Sequence, residues 1–339
     1  MNKFILPINR YPLIRGYQHH AYPLGIMFAE NNMFLSWFYN NYIQLIYSPE
    51  DTCYFNFLYN SFYNNPCLDV TVIKKEELLP NKKNLTEYFV QKLSQGNYIF
   101  TSADEFYIPR RVSYKNQHFP HEIMIVGFDL EKQVYYVIGY DEKWDYTVTE
   151  VDISKFEEAF WVIGDVGWDV LLVKRNENKI PVDYNLDLIQ IAKLIDDYVN
   201  SRNTVYTIAT LDRLAPTRCA ITSFGVNACY EFNNYLNKII QENQDFDIRP
   251  FHIYWEHKKC MLMRMDYIYK NTGLSEINNL YEDYTLIEQR SLHLRNRLLK
   301  YRITFNSNFI KRSFDEIKSI TTEESHILLR FSKLLLESL

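Results

Sequence analysis

HEIMIVGFDLEKQVYYVIGYD, residues 121–141, decides the fold class. Two runs rich in β-branched and aromatic residues, HEIMIVGFD and VYYVIGYD, flank the polar stretch DLEKQ, and that pattern predicts two antiparallel strands joined by a hairpin. Working outward, NYIFTSA (97–103), YTVTEV (146–151) and WDVLLVK (168–174) have the same composition and join one mostly antiparallel sheet. FEEAFW reads as a short helix capped by Asp152 or Ser154, and CLDVTVI (67–73) as another strand. NLTEYFVQKLSQG (84–96) predicts a helix with Asn84 as N-cap, Glu87 at the capping-box position and Gly96 as its stop. Residues 22–47 are apolar on several faces and predict a largely buried helix with Pro23 in its first turn, interrupted at Asn31–Asn32.

Past the polar stretch RNENKIPVDYN (175–185), the text turns helical in DLIQIAKLIDDYVN, CAITSFGVNACYEFNNYLNKII, FHIYWEHKKCMLMRMDYIYK and SHILLRFSKLLLESL. The fold class expected is therefore α+β: a domain over residues 1–178 with a mostly antiparallel sheet, followed by an all-α bundle over 179–339. On the helix around Glu256, His257 and Lys258, a structural salt bridge or cap is the expected role, with Met261, Met263 and Met265 filling core.

Composition narrows the function. A net charge of −5 over 339 residues gives no basic footprint for nucleic acid. The amino-terminal text MNKFILPINRYPLIRG breaks its apolar run too early for a signal-peptide core or a membrane span, so a cytoplasmic protein is expected. Cys53, Cys67, Cys219, Cys229 and Cys260 are odd in number and hold no C-x-x-C pair, which argues against a disulfide framework or a structural zinc site. The 28 Tyr and 22 Phe against 9 Gly point to a bulky aromatic core.

His121 opens its strand and Asp141 lies twenty residues on, a spacing that a hairpin brings back alongside the strand start. An acid beside a histidine yields the oriented imidazole that general-base chemistry needs. The run FTSADEFYIPRRVSYKNQHFPHEIMIVGFDLEKQVYYVIGYD resembles the central segment of the butirosin biosynthesis protein H amino-terminal family. The E-H-K-x-x-M-x-x-R text of FHIYWEHKKCMLMRM and the SFGVNACYEF pattern are similar to that family in the same order, over about residues 15–270.

The resemblance implies a papain-like fold and transfer of an acyl chain from a carrier-protein thioester to an amine, within antibiotic or nonribosomal-peptide assembly. It implies His121 as the catalytic histidine and Asp141 as its orienting acid. Where the family has its cysteine, this chain has His20, within Gln18-His19-His20-Ala21; Cys53 is the nearest thiol, 33 residues on. Gln18 is a candidate oxyanion donor. Tyr107, Arg110, Arg111 and His19 are candidate substrate contacts, the arginines suited to the phosphate of a phosphopantetheine arm.

Three readings of the site follow. One is a degenerate acyltransferase using His20 or His121 as base toward an activated thioester, without a cysteine nucleophile. Another is a non-catalytic module docking a carrier protein, a nonribosomal peptide synthetase or a peptide. The third is a metal site of His20, His121 and Asp141 with His19 or His118 as further ligands. No cofactor of the protein's own is expected, nor nucleic-acid or membrane partners.

Overall fold

The computed structural model describes residues 2–49, 54–58, 62, 65–78, 84–179, 184–204, 222–242 and 245–339. Cys53 and Cys219 lie outside them, as do residues 180–183 of the expected interdomain stretch. The chain opens with β1 (Lys3–Ile5), α1 (Gln18–Met27), α2 (Leu35–Asn41), β2 (Leu45–Ser48), β3 (Tyr54–Phe57), β4 (Leu68–Ile73), α3 (Lys75–Leu78) and α4 (Leu85–Ser94). It continues with β5 (Tyr98–Asp104), β6 (Pro120–Asp129), β7 (Val134–Tyr140), β8 (Tyr146–Asp152), α5 (Ile153–Val162), β9 (Val170–Arg175) and α6 (Leu188–Val199). A two-residue strand, β10 (Ser223–Phe224), precedes α7 (Gly225–Glu242), α8 (Arg249–Thr272), α9 (Ile277–Thr304), α10 (Asn308–Lys311) and α11 (Phe314–Glu337).

Two compact units result. The first comprises Met1–Pro12, Gln18–Asn32 and Ser61–Pro181; the second comprises Leu13–Tyr17, Met33–Asn60 and Val182–Leu339. In the first, a seven-stranded antiparallel sheet runs β4-β9-β5-β6-β7-β8, with β1 added alongside β6. Facing residues share a side of a sheet. Phe100, Met124, Ile138 and Val148 are consecutive partners across β5 to β8, so they form one face, and Tyr146 belongs to it. Tyr22 of α1 packs there, 5.7 Å from Phe100 and 6.2 Å from Tyr146 between ring centroids. Tyr135 has the other parity and meets Phe156 of α5, while Phe89 of α4 packs with both. At Gly127, beside a register shift in β6, a Cβ would collide with the Phe4 carbonyl oxygen, so glycine is what lets β1 pair there.

In the second unit α11 packs on α6, α7 and α9, and α9 on α8. The helical reading of the carboxyl-terminal half holds; the unit also takes in Met33–Asn60, whose β2 and β3 form a three-stranded antiparallel sheet with the two-residue β10. The strand β2 corrects an expectation. Residues 22–47 are not one interrupted helix but α1, α2 and a strand, because an unbroken apolar run suits a buried strand as well as a buried helix. Since α1 starts at Gln18, Pro23 stands inside it, not in its first turn. Asn84 and Asp152 precede their helices as expected, though neither side chain makes a capping bond. Among the described residues no helix is long and apolar enough to cross a membrane.

Candidate functional site

The β5–β6 register pairs Asp104 with Pro120 and Ala103 with His121, so residues 105–119 form a loop whose two ends meet. Asp104 closes it. One carboxylate oxygen accepts the N–H groups of Phe106 at 3.0 Å and Phe119 at 2.9 Å; the other lies 2.6 Å from Nδ1 of His118, whose ring stacks on Phe106 at 4.4 Å. Burial opposes ionisation of Asp104, but His118 and the two N–H groups outweigh it and hold the carboxyl below its usual range.

The same closure sets Glu105 beside His121, with Oε1 2.9 Å from Nδ1. Glu105 is 13% exposed and the His121 side chain 30%. A carboxylate at Nδ1 draws the imidazole proton to that nitrogen and leaves the Nε2 lone pair free to accept. From the first turn of α1, Gln18 reaches the same ring: its Nε2 is 3.2 Å from Nδ1, while its Oε1 accepts from the Tyr22 hydroxyl at 2.5 Å. Tyr22 is fully buried, and burial pushes its phenol well above the usual range.

Among the described residues the carboxylate hydrogen-bonded to His121 is Glu105, not the expected Asp141. The β6–β7 register, Met124 opposite Ile138, would if continued set Asp141 across from His121. The chain turns first. Asp141 accepts from the N–H groups of Lys143 and Asp145, each at 2.9 Å, and from Nη2 of Arg110 at 2.6 Å. These donors overcome the burial that favours the neutral acid and lower its pKa.

Arg110, at φ 62°, and Arg111 follow Pro109 in that latch: Glu142 N–H donates to the Arg110 carbonyl at 2.8 Å, and Arg111 Nη1 to the Tyr140 carbonyl at 2.6 Å. Arg111 is 4% exposed, and its Nη2 has no hydrogen-bond partner among the described residues. It lies beside Gly139, where a Cβ would stand 2.8 Å from both Arg111 Nη2 and Gln18 Oε1. Tyr107 sits in the turn after Asp104, its ring 6.1 Å from His118.

His19 and His20 share α1 with Gln18, their ring centroids 4.5 Å apart, and His20 is fully buried. Gln18 is the α1 candidate within hydrogen-bond distance of His121 among the described residues. Among the described residues no group of three or more His, Cys, Asp and Glu is arranged to hold a metal ion. The sequence reading missed Glu105 and Tyr22. Glu105 stands in the quoted text, yet a hairpin makes Asp141 an equally good partner, and only the loop's closure through Asp104 separates the two. Compared with protein-family models and with curated proteins, the chain matches none.

Proposed function

We propose that the sheet-containing unit acts on an acyl or peptidyl thioester borne on the phosphopantetheine arm of a carrier protein, transferring the acyl group to an amine without a cysteine nucleophile. The observation that carries this reading is the His121–Glu105 pair, with Nδ1 held at 2.9 Å and the ring part-exposed. The resemblance of 100–141 to a butirosin-type acyltransferase of papain-like fold supplies the substrate class, and antibiotic or nonribosomal-peptide assembly the setting. Of the five thiols, the three among the described residues support a cysteine-free route. Cys67, Cys229 and Cys260 are buried, and burial pushes all three up, Cys229 to about 11 and Cys260 to about 12.

In this route the amine nitrogen attacks the thioester carbonyl carbon while Nε2 of His121 takes the amine proton. The imidazolium is paired with Glu105. The carbon–sulfur bond then breaks, the acyl group stays on nitrogen as an amide, and the departing sulfur takes the proton back from Nε2. A thioester is already activated, so positioning and one proton transfer suffice.

The test is amide formation from an acyl-pantetheine carrier protein and an amine, with carrier binding measured alongside. His121→Ala should retain carrier binding and lower turnover by about 10²- to 10⁴-fold, the usual contribution of a general base. Unchanged turnover in His121→Ala removes the base role. Carrier binding without turnover in the unaltered protein makes the unit a docking module instead.

A further inference from the structure

Nδ1 of His121 has two neighbours with opposite demands. The Glu105 carboxylate, 2.9 Å away, is an acceptor and needs a proton on Nδ1. The Gln18 amide nitrogen, 3.2 Å away, is a donor and needs a lone pair there. One nitrogen cannot satisfy both. A hydrogen bond to an ionised carboxylate is roughly twice as strong as a neutral one, so the proton stays on Nδ1. One Gln18 N–H then faces another N–H, and the amide nitrogen keeps only the Glu122 carbonyl at 3.5 Å, the long limit of a hydrogen bond.

Tyr22 offers the way out. Its hydroxyl lies 2.5 Å from Gln18 Oε1 and 3.3 Å from the main-chain carbonyls of both Glu122 and Ile138. A hydroxyl donates one hydrogen bond and accepts up to two. With its proton given to either carbonyl, its oxygen is free to accept from Gln18. Turning the amide by half a revolution exchanges its nitrogen and oxygen at nearly the same positions. Oε1 then accepts from His121 Nδ1–H alongside Glu105, and Nε2 donates to Tyr22. Arg111 Nη2, like this end of the amide, would stand 2.8 Å from a Cβ on Gly139, but it makes no hydrogen bond among the described residues, so the hydroxyl at 2.5 Å decides.

We propose that Tyr22 is a positioning residue: by accepting the Gln18 N–H and passing its own proton to the main chain, it makes Gln18 a second acceptor on Nδ1 and keeps Nε2 of His121 as the proton-accepting nitrogen. This rests on His121 acting as a base, and its test needs no turnover.

The readout is the tautomer of His121 in protein carrying ¹⁵N-histidine, from long-range ¹H–¹⁵N correlation spectra recorded above the imidazole titration. The unaltered protein should carry its proton on Nδ1. Tyr22→Phe removes the acceptor for the Gln18 N–H, so the amide turns back and protonation shifts toward Nε2. Gln18→Leu removes the rival donor and should keep the proton on Nδ1. The double variant should regain the Nδ1–H state, which a merely structural role for Tyr22 does not predict. An Nε2–H tautomer in the unaltered protein overturns the proposal, as does a Tyr22→Phe spectrum like the original or no rescue by Gln18→Leu. If the tautomers behave as expected but His121→Ala retains turnover, the proposed function alone fails; the reverse pattern sinks the role of Tyr22 alone.

Discussion

Asp141 and Glu105 are both acids within reach of the same hairpin, and substitution separates their work. Glu105→Gln keeps the shape but removes the charge that draws the proton to Nδ1 and stabilises the imidazolium. Amide formation should fall by roughly 10²-fold, within the range of acid–base contributions, with little change in the unfolding midpoint. Asp141→Asn should do the opposite. It weakens the bond to Arg110 at 2.6 Å and disturbs the turn through Lys143 and Asp145, so denaturant unfolding should register a loss of about 1–3 kcal/mol. A larger rate loss in Asp141→Asn than in Glu105→Gln would return the orienting role to Asp141.

At the scale of elements, α8 explains what the E-H-K-x-x-M-x-x-R text does: its polar residues anchor main chain from the amino-terminal half that folds into the same unit. Glu256 accepts the N–H groups of Arg15 and Gly16 at 2.9 Å each. His257 Nε2 donates to the Ile43 carbonyl at 2.8 Å, and Arg264 donates to the carbonyls of Tyr39 at 2.7 Å and Tyr42 at 2.6 Å. Met261 and Met265 are buried beside them. Lys258 pairs with Glu324 of α11 at 2.6 Å, both fully buried, and the hydroxyls of Tyr198 and Tyr284 donate to the same carboxylate. A buried pair is weak evidence for net stability, but breaking it strands a charge. Lys258→Ala should therefore lose about 3–5 kcal/mol in denaturant unfolding, whereas Lys258→Met with Glu324→Leu should recover most of that loss. A double variant as unstable as the single one would show that the tyrosine network, not the stranded charge, dominates.

For the whole molecule, the titrating groups give stability a direction with pH. Burial, then the charges of Lys258 and Arg264, lower the pKa of His257 well below its usual range. The unfolded chain takes up that proton below about pH 6.5 while the folded one does not, so stability declines as pH falls through that value. Asp104, Asp141 and Glu256 have lowered pKa values when folded. Their contribution is complete above the unfolded values of about 4 and is lost as pH drops through the folded ones. Melting temperature should therefore fall in two stages on acidification, and His257→Asn should flatten the first between about pH 5 and 7. An unchanged slope there would assign that stage to other groups. The sequence by itself determined six of the seven strands of the large sheet, its antiparallel character and the helical character of the carboxyl-terminal half, because strand alternation, turn residues and helical spacing are local; β1, three residues long, is too short to show a period. It also singled out His121 and Gln18. Only the tertiary structure decided that residues 45–48 form a strand, since burial on every side erases the periodicity that separates strand from helix. It alone decided that Glu105 serves His121 while Asp141 latches Arg110, because side-chain direction at a strand's end depends on how the next turn closes, and that closure is settled by Asp104 and its N–H donors from both ends of the loop.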